Sequence, residues 1–169
     1  MKRIGTTLLV LMIGLLFSTS VFCAEFLKEG TGSYRAGKSG KVTMMKMGEG
    51  KLQMTWDELG VMVEAPENSP FVQTTFRSIG TLHSVDGKTA GSGAITLTRP
   101  NGDKIFGLIT MSGIVDQGPT KGNVDFIGGT GECSGIEGHI ELLPRLKTMS
   151  SQEGVYQQLA TGKITWKIP

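Results

Sequence analysis

The sequence predicts an all-β protein whose strands close into an eight-stranded antiparallel barrel. Glycines, 25 among 169 residues, are spread along the chain between β-branched and aromatic residues. Turn-forming clusters divide the chain into eight candidate strands, and its middle shows no long amphipathic helical pattern. Eight strands without a sustained helix form either a sandwich or a closed barrel. The barrel is favoured because closure leaves no strand edge unpaired.

The first 24 residues predict a secretory signal helix. Lys2 and Arg3 precede an apolar run of ten residues, Leu8 to Phe17, and small and polar residues follow it. The run has about half the length that a helix needs to span a bilayer, so a removable signal is favoured over a retained anchor. Cleavage is expected after Cys23 or after Ala24. The mature protein is therefore expected to be secreted or periplasmic.

The mature chain is expected to be formally neutral, because Lys2 and Arg3 leave with the signal. It carries no block of basic residues, so nucleic acid is not an expected partner. Cys133 is the one cysteine certain to remain, and the protein is expected to fold without an internal disulfide. A small buried residue is the favoured interpretation of Cys133, with a reactive thiol or an intermolecular bridge as alternatives.

The stretch GSYRAGKS, Gly32 to Ser39, matches every fixed position of the nucleotide-binding P-loop formula. A P-loop joins a buried strand to a helix whose N-terminus cradles phosphate. Here a strand pattern closed by glycines follows, so no nucleotide is expected. Residues 25–40 are interpreted as a polar N-terminal lead-in with Lys38 as a solvated charge, followed by a single barrel domain over residues 41–169.

Turn chemistry separates the candidate strands. Asn101-Gly102 is the strongest turn signal, because a two-residue hairpin turn needs positive φ at both central positions. Pro144 to Gln158 is interpreted as a turn or short helix over the surface, or as a disordered loop. The predicted strands are, in order, Lys41–Met47, Leu52–Ala65, Phe71–Val85, Gly91–Arg99, Lys104–Asp116, Gly122–Ile127, Ser134–Leu142 and Tyr156–Ile168.

Alternation along the strands predicts which residues face the interior. In the last strand Ile164 and Trp166 alternate with Lys163 and Thr165, as expected of a wall with one dry and one wet face. The strand Ile105 to Met111 is instead apolar on both faces. This suggests that another subunit covers part of the outer wall, and so predicts a homo-oligomer.

The segment FIGGTGECSGIEG, Phe126 to Gly138, resembles the glycine motif of the allene oxide cyclase-like barrel proteins, which the dirigent proteins share in looser form. The hairpin NGDKIFG and the ending GKITWKIP support the resemblance. The glycines allow a sharp bend or bulge between two strands and the close approach of another backbone. They specify shape rather than chemistry, and they are Gly128, Gly129, Gly131, Gly135 and Gly138.

The resemblance implies an antiparallel barrel of allene oxide cyclase-like or lipocalin-like architecture, frequently trimeric, with a cavity for a small hydrophobic molecule. No catalytic residue carries over. The favoured function is binding of a small apolar ligand, without cofactor or metal, by a trimer or dimer. The alternatives are an isomerase or cyclase of the same fold, and a structural or subunit-interaction barrel.

Two groups of residues are candidates for the ligand site. Trp56, Glu58 and Met62 share one face of a strand and could line a cavity, although core packing with Glu58 near the rim is the favoured interpretation. Arg77 and His83 share a face of the next strand and could be polar groups in an apolar pocket. An ordinary, partly exposed strand face is the favoured interpretation of this second pair.

Glu137, His139 and Glu141 alternate along another strand and could form half of a metal site. No second histidine stands at ligand spacing, so a solvated outer face is favoured.

Overall fold

The computed structural model describes residues 26–114, 121–143, 149–152 and 154–169. The predicted signal helix of residues 1–24 lies outside these ranges. The described chain forms nine strands and one short 3-10 turn, Gly131–Cys133. The strands are β1 Glu29–Gly48, β2 Lys51–Glu64, β3 Thr75–Val85, β4 Lys88–Thr98, β5 Lys104–Ile114, β6 Lys121–Gly129, β7 Glu137–Leu142, β8 Met149–Gln152 and β9 Val155–Lys167.

The strands form a closed antiparallel barrel with eight positions in its wall. Each strand from β1 to β6 pairs with the next one in the chain, and β7 pairs with β9. The barrel closes because β9 also pairs with β1, from Glu29 opposite Lys167 to Lys41 opposite Val155. The short β8 pairs with the other end of β9, so β7 and β8 share one position in the wall. The predicted all-β, eight-stranded barrel is confirmed.

The first strand begins twelve residues earlier than predicted. β1 starts at Glu29 and includes the whole of the P-loop-like stretch Gly32–Ser39. The lead-in assigned to residues 25–40 is therefore mostly barrel wall. Backbone groups of this stretch pair with β2 on one side and β9 on the other. Its glycines obscured the alternation that marks a strand, because an inward glycine carries no side chain to count.

The predicted turns lie where expected, but one has a different geometry. Asp86 and Gly87 both have positive φ, 50° and 77°, and form the two-residue turn between β3 and β4. At Asn101-Gly102 only Gly102 has positive φ, at 91°. Its N–H bonds to the Arg99 carbonyl, and the Arg99 N–H bonds to the Asp103 carbonyl. The predicted two-residue turn is thus a three-residue loop with Pro100 at its start, the common alternative for hairpins.

The segment Pro144–Gln158 is more regular than predicted where the structure describes it. Met149–Gln152 and the start of β9 form a hairpin, with Gly154 at positive φ in its turn. The predicted turn is present at Gly154, and the alternatives of a short helix or a disordered loop are wrong for the described residues. Residues 144–148 lie outside the described ranges, as does the predicted end of β5 at Asp116.

An aromatic cluster fills one end of the barrel. Phe71 is fully buried and stacks on Phe126, with ring centroids 5.5 Å apart. The Trp166 ring meets Phe71 edge-on at 5.6 Å. Phe71 was predicted to begin a strand, but β3 starts only at Thr75, and residues 66–74 fold across the barrel end.

The glycine motif forms the bend that was predicted for it. The pairing of β5 with β6 shifts by one residue beside Gly128, which has a φ of 130°. The turn Gly131–Cys133 follows, and Gly138 allows the backbone of Thr165 to come close. Cys133 is fully buried and free of disulfides, and burial raises the pKa of its thiol. The predicted small buried cysteine is confirmed.

Inward glycines make room for large rings in the lumen. A Cβ on Gly80 would stand 2.2 Å from Cζ2 of Trp56, and one on Gly60 would stand 2.2 Å from Cζ of Phe76. Each ring occupies the space that a side chain of the neighbouring strand would otherwise fill. The described part of the chain contains no helix long and apolar enough to cross a membrane.

Candidate functional site

A buried ion pair stands on the inner wall of the barrel. Glu58 lies in the middle of β2, and Lys38 lies on the adjacent strand β1. Lys38 Nζ donates to Glu58 Oε1 at 2.9 Å and lies 2.7 Å from Oε2. The side chains are only 6% and 7% exposed. Charges buried this deeply need hydrogen-bond partners in addition to each other.

Two neighbouring strands supply those partners. The Ser78 hydroxyl on β3 donates to Glu58 Oε1 at 2.7 Å, and the Tyr156 hydroxyl on β9 donates to Oε2. Trp56 Nε1 in turn donates to the Ser78 hydroxyl at 3.2 Å. Four strands therefore contribute to one polar cluster, which we define as Lys38, Trp56, Glu58, Ser78 and Tyr156.

Glu58 is held as a carboxylate. Burial by itself would raise its pKa, but the charge of Lys38 opposes this, as do the hydrogen bonds from Lys38, Tyr156 and Ser78. The net effect is a pKa below the usual value for glutamate. Each carboxylate oxygen already accepts two contacts, which fills about all of its lone-pair positions. Glu58 is therefore a weak base and is poorly placed to accept a further proton.

The lumen beside this cluster contains a cavity of about 40 Å³. A space of this size admits a small group rather than a complete drug-sized molecule, for which pockets of about 300 Å³ or more are typical. Apart from Lys38, Glu58 and the hydroxyl of Tyr34, its lining is apolar or aromatic. The remaining lining residues are Ala36, Trp56, Met62, Phe76, Ile95, Ile109, Met111, Val124, Leu142 and Ala160.

The candidate residues separate into two groups. Trp56, Glu58 and Met62 face the lumen and line the cavity, as the strand pattern indicated. Arg77 and His83 lie on the outer face of β3 and are exposed. A role for these two in the lumen is wrong, because the inward residues of β3 are the even-numbered ones. The exposed strand face that the sequence favoured for them is confirmed.

Arg77 makes a surface ion pair instead. Its Nε and Nη2 atoms donate to the Asp57 carboxylate at 3.0 and 2.8 Å. The hydrogen bond from Arg77 is the main reason that the pKa of Asp57 lies below its usual value.

Lys38, Ser78, Tyr156 and Gln158 face the lumen but were not predicted as site residues. A signal for two of them was present in the sequence. Tyr156 and Gln158 continue the alternation that places Ile164 and Trp166 inside. Lys38 carried no such signal, because its strand was not recognised.

The outer face of β7 carries Glu137, His139 and Glu141, which is the solvated position that the sequence favoured for them. His139 Nε2 is 3.7 Å from Glu141 Oε1, and both side chains are exposed. Within the described ranges, no group of three or more His, Cys, Asp or Glu residues is arranged to hold a metal ion.

No protein-family model and no curated protein matches this sequence. Among solved structures, the fold is similar to that of a pterocarpan synthase dirigent protein. The TM-score is 0.48 and the identity 13%, over 90% of this chain and 97% of the other. At this identity the residues that line the two barrels are free to differ, so the similarity carries no information about ligand or chemistry. The barrel itself is established by the strand pairing of this chain.

Proposed function

We propose that the protein binds a small, mainly apolar molecule in the barrel lumen. The observation that carries the proposal is the apolar cavity beside one hydrogen-bonded polar cluster. Binding sites for small molecules commonly combine apolar walls with a few polar groups. Met62 and Met111 line the cavity, and flexible thioether side chains can move aside to enlarge it for a ligand.

A titration with 1-methoxypentane, a neutral apolar probe, tests the proposal. Trp56 lines the cavity, so its fluorescence should change on binding. Ala160→Leu adds bulk to the cavity lining and should weaken binding by about tenfold or more, because the probe and the new side chain compete for the same space. Ala90→Leu places the same side chain on the exposed outer wall, away from the lumen, and should leave binding unchanged. Equal binding by the two variants would contradict a lumen site.

Native mass spectrometry of protein recovered from expressing cells gives a second test. A ligand retained through purification would appear as extra mass that extraction with solvent removes. The same spectra test the proposed export, since a processed chain would lack the mass of residues 1–23 or 1–24.

A shape-directed isomerase or cyclase is the second candidate. The inward carboxylate of Glu58 favours it, because a fixed negative charge could stabilise positive charge that develops in a bound substrate. The low pKa and filled lone pairs of Glu58 argue against proton abstraction. Binding is therefore the function that the geometry supports better.

We also propose that the protein self-associates through its outer wall. Ile79, Ala94 and Leu108 are directly opposite one another on β3, β4 and β5 and form an exposed apolar row. Leu59 on β2 lies beside this row and is 63% exposed. Burial of such a row against a second copy would remove its apolar surface from water.

A further inference from the structure

Gln158 is a buried polar residue that does not belong to the polar cluster. It lies on β9 directly opposite Lys38 of β1, and only 8% of its surface is exposed. It follows the alternation of β9, so its side chain faces inward. Its inward neighbours Lys38 and Ala160 line the cavity, and Gln158 lies just beyond that lining, where an enlarged cavity would reach it. Among the described residues, its Oε1 atom has no hydrogen-bond partner.

A buried amide oxygen without a partner is costly, because it has lost its hydrogen bonds to water and gained none in return. Glu58 cannot serve as its partner because an ionised carboxylate only accepts hydrogen bonds. The group that satisfies Gln158 must donate. A hydroxyl or a primary amide can both donate and accept, and so fits the amide side chain in either orientation.

The charge of the cluster restricts the ligand in a second way. The positive charge of Lys38 is already balanced by Glu58 at 2.7 Å. A ligand carboxylate would therefore bring an unbalanced negative charge next to Glu58, in a lumen that is otherwise apolar. Removing such a charge from water is strongly unfavourable unless a counter-charge accompanies it. The lumen is consequently suited to an uncharged ligand.

We infer that Gln158 determines specificity in the lumen and that the ligand is a neutral, mainly apolar molecule with one hydroxyl or primary amide group. The inference rests on the proposed binding function. To the proposed binding function the inference adds the chemical class of the ligand, the residue that selects this class, and the exclusion of carboxylates.

Four probes of similar length test the inference by calorimetric or fluorescence titration. 1-Hexanol and 1-methoxypentane are isomers, but only the alcohol donates a hydrogen bond. Hexanamide offers the alternative donor, and hexanoate carries the negative charge. We expect the alcohol and the amide to bind about three- to tenfold more tightly than the ether, as one net hydrogen bond allows. Hexanoate should bind no better than the ether.

Gln158→Leu should bring the ratio of alcohol to ether affinity to about one while the ether still binds. Gln157→Leu is the matched control, since Gln157 is the exposed neighbour on the outer face, and it should keep the wild-type ratio. Equal wild-type affinities for alcohol, amide and ether, or tightest binding of hexanoate, would overturn the inference while leaving ligand binding in place. Failure of all four probes to bind would overturn the proposed function as well. The wild-type ratios decide the ligand class even if Gln158→Leu does not fold.

Discussion

At the scale of single residues, the most consequential feature is that Lys38 and Glu58 are both charged and both buried. Their attraction offsets the loss of hydration only because Ser78 and Tyr156 also bond to the carboxylate. Removing one partner leaves the other as an uncompensated charge inside the barrel. The pair therefore makes folding sensitive to the loss of either residue.

Lys38→Met should lower the free energy of unfolding by about 3 kcal/mol or more, because the Glu58 carboxylate would lose its counter-charge. Chemical denaturation at neutral pH measures the change. Lys41→Met makes the same substitution on the same strand at an exposed position, and should stay within about 0.5 kcal/mol of wild type. Similar stabilities for the two variants would show that the ion pair contributes little.

The pH dependence of stability should reveal Glu58. Its pKa in the folded protein lies below the reference value of 4.5, so its stabilising contribution is complete above about pH 4.5. As the pH falls through the lower folded pKa, the carboxylate becomes protonated in the folded state too, and that contribution is lost. Glu58→Gln has no such carboxylate, so it should be less stable at pH 7, and the difference from wild type should shrink in acid.

Urea titrations from pH 7 down to pH 3 provide this measurement. Glu64→Gln serves as the control, because Glu64 is exposed at the end of the same strand. A constant difference between wild type and Glu58→Gln across this range would mean that Glu58 titrates alike in the folded and unfolded chains.

At the scale of secondary-structure elements, glycines in adjacent strands shape the lumen. Trp56 on β2 lies over Gly80 of β3 and close to Gly93 of β4. A glycine weakens a strand in isolation, because it gives up more backbone freedom and packs no side chain. In this barrel the ring of a neighbouring strand occupies the vacant volume, so the weakness of one strand is offset by packing from another.

Gly80→Ala should destabilise the protein by about 1–3 kcal/mol, because its Cβ would stand 2.2 Å from the Trp56 ring. Thermal or chemical unfolding measures the loss. At Gly37 on β1 a Cβ meets no atom within 4 Å. Gly37→Ala should therefore leave stability unchanged or raise it slightly, since alanine reduces the freedom of the unfolded chain. Equal losses at the two positions would argue against the ring-over-glycine packing.

The strands that alternate clearly could be predicted, and those rich in glycine could not. Ile164, Trp166 and Ile168 mark the interior of the barrel without reference to other strands. In β1, inward and outward positions both include glycine, so a period of two is hard to see between Gly30 and Gly40. Because this alternation could not be recognised, Lys38 was interpreted as a solvated charge, although its side chain is almost fully buried.

At the scale of the whole molecule, the outer wall carries an exposed apolar row across β3, β4 and β5, and we propose that this row is an interface. The row of Ile79, Ala94 and Leu108 should be covered by another copy. Light scattering coupled to size-exclusion chromatography should therefore give a mass that is a multiple of the chain mass, which is 18.1 kDa before any processing. The double variant Leu59→Ser and Ile79→Ser should shift the protein towards the monomer, because it places hydroxyls in the proposed interface.

Met47→Ser provides the control for this experiment. Met47 is 59% exposed, but it lies at the end of β1 beside the turn to β2, away from the apolar row. It should not change the mass. A wild-type monomer at micromolar concentration would contradict self-association through this wall.

The sequence by itself determined that the chain is all-β, where most of the turns lie, and which face of β2 and β9 is dry. These are local properties, because turn chemistry and side-chain alternation act within a few residues. Only the tertiary structure decided that Lys38, Glu58, Ser78 and Tyr156 meet in one cluster and that Arg77 points outward. The inward face of a strand depends on its register with its neighbours, and a shift of one residue reverses it. The site could not be read from the chain because its members come from four strands, and barrel closure is what brings them together.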